Sequence, residues 1–232
     1  MIEKPKRIHA PWSPPDEFVG DKRIRAFILD RLLDEGFPVR KYLDLNLKSD
    51  HKETWDQIRS VASMFLKCWR LRPTHQDPVP WVVLFVGNYR AMTIISEIIP
   101  MIFALTTHAS VTRVTLPDLV TKAFDYSGSG TPQENLLKYR NCGMMTVTSF
   151  DQVSTRSDIA KANLQTLLGY RLDKKWPVFF VSVLKNLNKS NKDVKNHIRT
   201  KVGDSLGEHS ADMILDFSFI RVFADKLKSV NV

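Results

Sequence analysis

Glycine is scarce in this chain, 9 residues in 232. A loop that cradles phosphate with its backbone N–H groups usually concentrates glycine in one place, so working nucleotide chemistry starts at a disadvantage. Cysteine is rarer still. Cys68 and Cys142 lie far apart, with no zinc spacing and no need of a disulfide, which makes a reducing cytoplasm the default setting. No apolar run has the length of a membrane span. The basic start Met1-Ile2-Glu3-Lys4-Pro5-Lys6-Arg7 has no apolar stretch behind it, and so does not read as a signal peptide. Repeats and low-complexity blocks are also missing.

What is present is a 43% hydrophobic composition and a net charge of +9. The first is enough for one sizeable core; the second favours polyanionic partners, nucleic acid above all. Along the chain, Pro5, Pro11, Pro14 and Pro15 with Trp12 and Phe18 predict an extended arm. Asp21 to Glu35 predicts a short helix with Ile24, Phe27, Ile28 and Leu32 on one face and Gly36 as its stop. Trp55, Ile58, Ala62, Phe65, Leu66 and Trp69 repeat at helical spacing, after Ser49 or Asp50 as cap.

The run Trp81 to Val86 is continuously apolar, which marks a strand buried on both faces. A helix over Arg90 to Leu105 follows, with Pro100 expected to kink it or end it early. Strand and helix then alternate. Strands are expected at Val111 to Thr115, Gly143 to Thr148, Pro177 to Val183 and Met213 to Phe217. Helices are expected from Thr115 to Phe124, from Thr131-Pro132 to about Arg140, from Thr155 or Ser157 with Ile159, Ala160, Leu164, Leu167 and Leu168 inward, and over Lys192 to Val202. This alternation predicts an α/β fold with a mostly parallel sheet under helices.

Five ordered segments carry a resemblance. Gly36-Phe37-Pro38-Val39-Arg40-Lys41-Tyr42 comes first. The strand Val82 to Val86 then ends in Gly87, and Val114-Thr115-Leu116-Pro117-Asp118-Leu119 follows. Next comes Asn135 to Met145, and last Leu167-Leu168-Gly169-Tyr170-Arg171 with Trp176-Pro177-Val178. In this order they resemble the DnaC/IstB group of helicase loaders and transposition ATPases, over residues 36 to 217. The resemblance implies a three-layer AAA+-like domain with a five-stranded sheet. It would have no sizeable C-terminal lid domain. Residues 1–48 would be an arm and short helix, and residues 49–232 the core domain.

In that alignment the phosphate loop, GxxxxGK[ST], falls on Gly87-Asn88-Tyr89-Arg90-Ala91-Met92-Thr93-Ile94. Met92 stands for the second glycine, Thr93 for the lysine that reaches the β/γ-phosphates, and Ile94 for the magnesium-holding hydroxyl residue. Thr148 and Ser149 stand where paired acids are expected, and Asp151 comes too late. Val183 takes the place of the sensor asparagine and His209 that of the trans-acting arginine. The resemblance thus implies a relic nucleotide site at Gly87, Met92, Thr93, Ile94, Thr148 and Ser149, with no catalytic residue, no cofactor and no metal.

No other chemistry presents itself. The histidines His9, His51, His75, His108, His197 and His209 have no metal-ligand spacing, and a G-x-S-x-G elbow is missing. The basic residues carry more. Lys185, Lys189, Lys192, Lys195, Arg199 and Lys201 crowd one loop and helix, and Lys192, Lys195 and Arg199 share a helical face. This predicts a phosphate-backbone contact, against the alternative of a solvated face. The segment between the two relic motifs touches single-stranded DNA in helicase loaders. The resemblance therefore implies a DNA role for Arg113, Lys122, Lys138 and Arg140, with Phe124, Tyr126 and Tyr139 as stacking candidates.

The sequence thus predicts a cytoplasmic, non-catalytic binding protein with no membrane role, a monomer or hetero-oligomer. Its partners would be a replicative helicase, an active AAA+ paralogue or single-stranded DNA. The alternative is an interaction subunit of a larger assembly without DNA binding.

Overall fold

The computed structural model describes residues 21–40, 52–71, 81–124, 131–150, 157–184 and 191–222. Expectations for the arm with Trp12 and Phe18, for the caps Ser49, Asp50 and Thr155, and for Tyr126, Asp151, Lys185 and Lys189 lie outside these residues, as do those for His9, His51 and His75.

The fold is α/β. Helices α1 (Asp21–Asp34) and α2 (Lys52–Leu71) precede strand β1 (Trp81–Val86) and helix α3 (Tyr89–Thr107). Strand β2 (Val111–Thr115), helices α4 (Leu116–Phe124) and α5 (Pro132–Asn141), strand β3 (Met144–Thr148) and helix α6 (Asp158–Asp173) follow. Strand β4 (Val178–Val183), helices α7 (Asn191–Leu206) and α8 (Glu208–Phe217), and strand β5 (Ser218–Val222) complete it. The five strands form one sheet in the order β2-β3-β4-β1-β5, and each neighbouring pair is parallel.

Period-two alternation explains the three layers. Along β1, Val82, Leu84 and Val86 join one core with Ile58 and Phe65 of α2 and Ile95 and Phe103 of α3. Trp81, Val83 and Phe85 join the other, with Leu164 of α6, Ile198 of α7 and Ile214 of α8. β4 divides likewise, Phe179 and Val181 to the first side and Val178 and Phe180 to the second. Successive side chains of a strand point to opposite faces, so a strand covered on both faces must be apolar throughout. All six residues of β1 are buried. α1 belongs to the first core through Ile28 and Leu32, with Ile24 and Phe27 packed beside them.

Local signals set the helix ends. Gly36, at φ 79°, closes α1 in a Schellman turn, with Phe37 N–H donating to Leu32 O and Gly36 N–H to Leu33 O. Thr131 caps α5 in a capping box: Glu134 N–H donates to Thr131 Oγ1, and Thr131 N–H donates to Glu134 Oε2 at 2.6 Å. Ser157 caps α6, and Thr115 accepts from Asp118 N–H at the start of α4.

Four expectations are corrected. Pro100 does not end α3, which runs on to Thr107. An internal proline costs about 3 kcal/mol, and burial of Ile94, Ile95, Ile98, Ile99, Met101 and Phe103 around it offsets that cost. The same helix is, by length and composition, long and apolar enough to cross a membrane, although the sequence was read as having no such run. Here its apolar faces fill the first core. Met213 to Phe217 is the last turn of α8, not a strand; β5 starts at Ser218. Ser210, Ala211, Met213 and Ile214 are buried at helical spacing, which the short apolar run alone did not reveal. Ile159, expected inward, is exposed on the first turn of α6.

One buried cation ties the N-terminal edge of the sheet together. Arg171 of α6 has no exposed surface. Its Nη1 donates to Tyr139 O at 2.7 Å and Cys142 O at 2.8 Å, and its Nη2 to Pro177 O at 2.8 Å and Gly143 O at 3.3 Å. These carbonyls lie in the α5–β3 and α6–β4 connections, where regular pairing stops. Burial pulls the Arg171 pKa below its ordinary range, and the Cys142 thiol beside it opposes the shift. Gly143 is required here: a Cβ would lie 2.7 Å from Ala109 Cβ. Arg171→Leu is expected to cost about 3–5 kcal/mol, because it strands several buried acceptors at once. The measurement is the shift in urea midpoint; a loss below about 1 kcal/mol would contradict the role.

Candidate relic nucleotide site

In a parallel sheet with helices on both faces, ligands meet the chain at the carboxyl ends of the strands. Here the ends of β3, β4 and β1 lie side by side. Val86 pairs with Val183, and Thr148 with Val181. Leu184 N–H donates to Val86 O and Ser149 N–H to Val181 O, each at 2.9 Å. The structure therefore brings Gly87, Met92, Thr93, Ile94, Thr148, Ser149 and Val183 to one edge.

The connection from β1 to α3 has two residues, Gly87 and Asn88. Asn88 is extended, at φ −151° and ψ 164°, and its side chain accepts from Ala91 N–H at 2.8 Å. Met92 N–H donates to Asn88 O at 3.1 Å. A phosphate loop leaves such N–H groups pointing at an anion. In this chain the Asn88 side chain takes up one of them, Ala91 N–H, while its carbonyl starts the helix ladder at Met92.

The side chains close the same space. Met92 is buried, and Ser149 Oγ donates to its sulfur at 3.8 Å, joining the end of β3 to the first turn of α3. Thr93 Oγ1 donates back to Tyr89 O at 2.9 Å. Ile94 belongs to the first core. Thr148 is buried, and Ser149 sits at φ 54°, a left-handed conformation that is uncommon outside glycine. In sum the edge presents a methionine, two threonines, a serine and an isoleucine. Among the described residues it offers neither a lysine nor a paired carboxylate.

The basic residues divide into groups. Lys192, Lys195, Arg199 and Lys201 are exposed along α7, and Arg199 Nε lies 3.6 Å from Asp212 of α8. Arg113 points to Glu97 of α3, a nearly buried carboxylate 2.6 Å away. Lys138 pairs with Glu35 beyond the end of α1 at 2.5 Å. Arg140 stacks on Tyr170, its guanidinium carbon 3.9 Å from the ring centroid, and Lys122 is exposed on α4. Tyr139 is buried against Leu136 and Leu168 in the second core, which pushes its phenol up to about 12, with Asp118, Glu35 and Cys142 adding to the effect. Phe124 is exposed at the end of α4. Val183 is half-buried, and His209 is exposed on the first turn of α8. Among the described residues no three His, Cys, Asp or Glu side chains group as a metal site.

Sequence reading missed the Asn88 cap and the Glu97 partner of Arg113. Asparagine at a helix start was the available signal for the first. The second needs the α3–β2 packing, and a lone carboxylate carries no pattern.

No family model matches the sequence, and no curated protein matches it. Solved structures do. DnaI is 15% identical at a TM-score of 0.52, over 78% of this chain and 89% of that one. A DNA replication initiation factor is 9% identical at 0.51, over 74% of this chain and 45% of that one. The DnaC helicase loader is 12% identical at 0.49, over 68% and 87%. With the strand order β2-β3-β4-β1-β5, the similarities to DnaI and to the replication initiation factor show that the chain shares the AAA+-type α/β fold of those proteins.

Proposed function

We propose that this chain is a non-hydrolysing, helicase-loader-like protein of the cytoplasm. It would act in DNA replication or transposition by holding a protein partner, a replicative helicase or an active AAA+ paralogue, together with single-stranded DNA. The observation that carries this reading is the two-residue turn after β1. Asn88 occupies the helix N-terminus that an ATPase offers to phosphate, and Met92 rests on Ser149 where the triphosphate would pass. Phosphoryl transfer depends on positioned charge and magnesium rather than on covalent chemistry, and Thr93, Ile94, Thr148 and Ser149 supply neither.

DNA binding draws on the α7 face. Lys192, Lys195 and Arg199 are exposed at spacing that puts them on one side of the helix, and the chain carries +9. Arg113 and Lys138 contribute less to this reading, since each is held by a largely buried carboxylate, whereas Arg199 meets the exposed Asp212. Without a nucleotide cycle, binding would be constitutive or governed by the partner.

Calorimetric titration with ATP and magnesium is expected to show no binding heat. Micromolar, magnesium-dependent binding would sink the non-hydrolysing reading. For the DNA surface, reversing Lys192, Lys195 and Arg199 to Glu is expected to weaken binding of a single-stranded oligonucleotide and to flatten the slope of log K against log salt by about 2. Unchanged affinity in the triple variant would remove α7 from the DNA surface.

A further inference from the structure

A second surface lies at the other end of the sheet, where α5 runs into β3 and α6 into β4. Arg140 lays its guanidinium over Tyr170, 3.9 Å from the ring centroid. Lys174 brings its Nζ to 5.8 Å from the same ring. The Tyr170 ring meets Trp176 edge to face, at 6.1 Å and 76°. Behind Trp176, the buried guanidinium of Arg171 lies 5.8 Å from the indole. Arg140 and Lys174 are exposed, and Tyr170 and Trp176 are half-buried. Two exposed cations thus share one half-buried ring, Tyr170, and a second half-buried ring, Trp176, stands edge to face beside it.

The group is held in place by the fold. α6 ends in a Schellman turn, with Lys175 N–H donating to Leu172 O and Trp176 N–H to Arg171 O, each at 2.9 Å. Lys175 takes the left-handed position, at φ 57°. Glycine is the favoured residue there, yet the chain keeps a lysine and adds positive charge beside Lys174. Arg171 anchors the same turn through Pro177 O. Among the described residues, neither Arg140 nor Lys174 pairs with a carboxylate; Asp173, exposed on the last turn of α6, is the neighbouring acid in sequence.

We propose that Arg140, Tyr170, Lys174 and Trp176 form a binding site for single-stranded nucleic acid, separate from the α7 face. A base stacks on Trp176 beside the Tyr170 ring, whose own face Arg140 covers, and the flanking phosphates meet Arg140 and Lys174. Stacking on Tyr170 fixes the Arg140 rotamer while leaving its in-plane N–H donors free for a phosphate. Aromatic faces among cations suit single strands because every base has a π-face, whereas an acidic peptide would use the charges and leave the rings idle.

The test is fluorescence anisotropy of labelled oligothymidylate and oligouridylate with the full chain at several salt concentrations. Arg140→Gln with Lys174→Gln is expected to lower affinity and to reduce the salt slope by about 1.4, the share of two single-strand phosphates. Trp176→Leu is expected to weaken binding about five- to hundredfold, with Trp176→Phe close to the parent. Circular dichroism checks that each variant is folded, and the double variant leaves the packed rings in place. The two oligonucleotides decide between DNA and RNA. Parent-like binding by the double variant overturns the site, whatever reversal of α7 does. Failure of the parent chain to bind either oligonucleotide at low salt also overturns it. Equal competition by polyglutamate of matched charge would show an acidic-polypeptide surface instead.

Discussion

Both faces of the sheet are covered, and that constraint shapes the rest of the molecule. A strand packed between two helical layers holds few polar side chains, because each one buried without a partner costs free energy. β1 obeys this completely, with six apolar residues and none exposed. The polar content of β3 and β4 is small: Thr146, Thr148 and Ser182, all buried. Chemistry is therefore confined to the strand ends, and the two ends of this sheet have been settled differently.

At the carboxyl edge the chain satisfies its own groups. Asn88 caps α3, Met92 takes the space before Ser149, and Thr93 folds back on Tyr89. At the amino edge a buried arginine does the corresponding work. Arg171 gathers carbonyls from the end of α5, from the α5–β3 connection and from Pro177 before β4. At the carboxyl edge the described side chains that meet one another, Asn88, Met92, Thr93, Thr148 and Ser149, are neutral, and Arg90 is exposed beside them on the first turn of α3. The amino edge places a cation inside and carries two more, with aromatic rings, on its surface. An AAA+ fold normally concentrates its charge at the first edge, where phosphate is held. In this chain exposed cations stand at the amino edge, in Arg140 and Lys174, and along the α7 face.

Much of the fold was legible in the sequence because its signals are local. The run Trp81 to Val86 gave β1 by composition alone, and Thr131 and Ser157 marked the starts of α5 and α6. Met213 to Phe217 was misread because five apolar-rich residues fit a strand or a helix turn equally well; burial of Ser210 and Ala211 on the same face decides it. Pro100 was misjudged because a local penalty is outweighed by burial along a whole helix. At the candidate site, Met92, Thr93 and Ile94 could be placed just after β1 by position, since the segment follows Gly87 directly. The Asn88 cap could not, because it depends on α3 starting two residues after β1. Arg171 and the Arg140–Tyr170–Trp176 group were illegible for a plainer reason. Their contacts join residues about 30 positions apart, with no periodicity to announce them.

The central claim is that the chain's own side chains fill the place of a nucleotide. Methyl NMR of the methionine-labelled protein addresses it directly, with the Met92 resonance assigned by Met92→Leu. The account predicts that the Met92 signal stays fixed when magnesium and ATP are added to saturating levels, since the sulfur remains against Ser149. A shift of that signal that saturates at micromolar ATP and disappears without magnesium would contradict it.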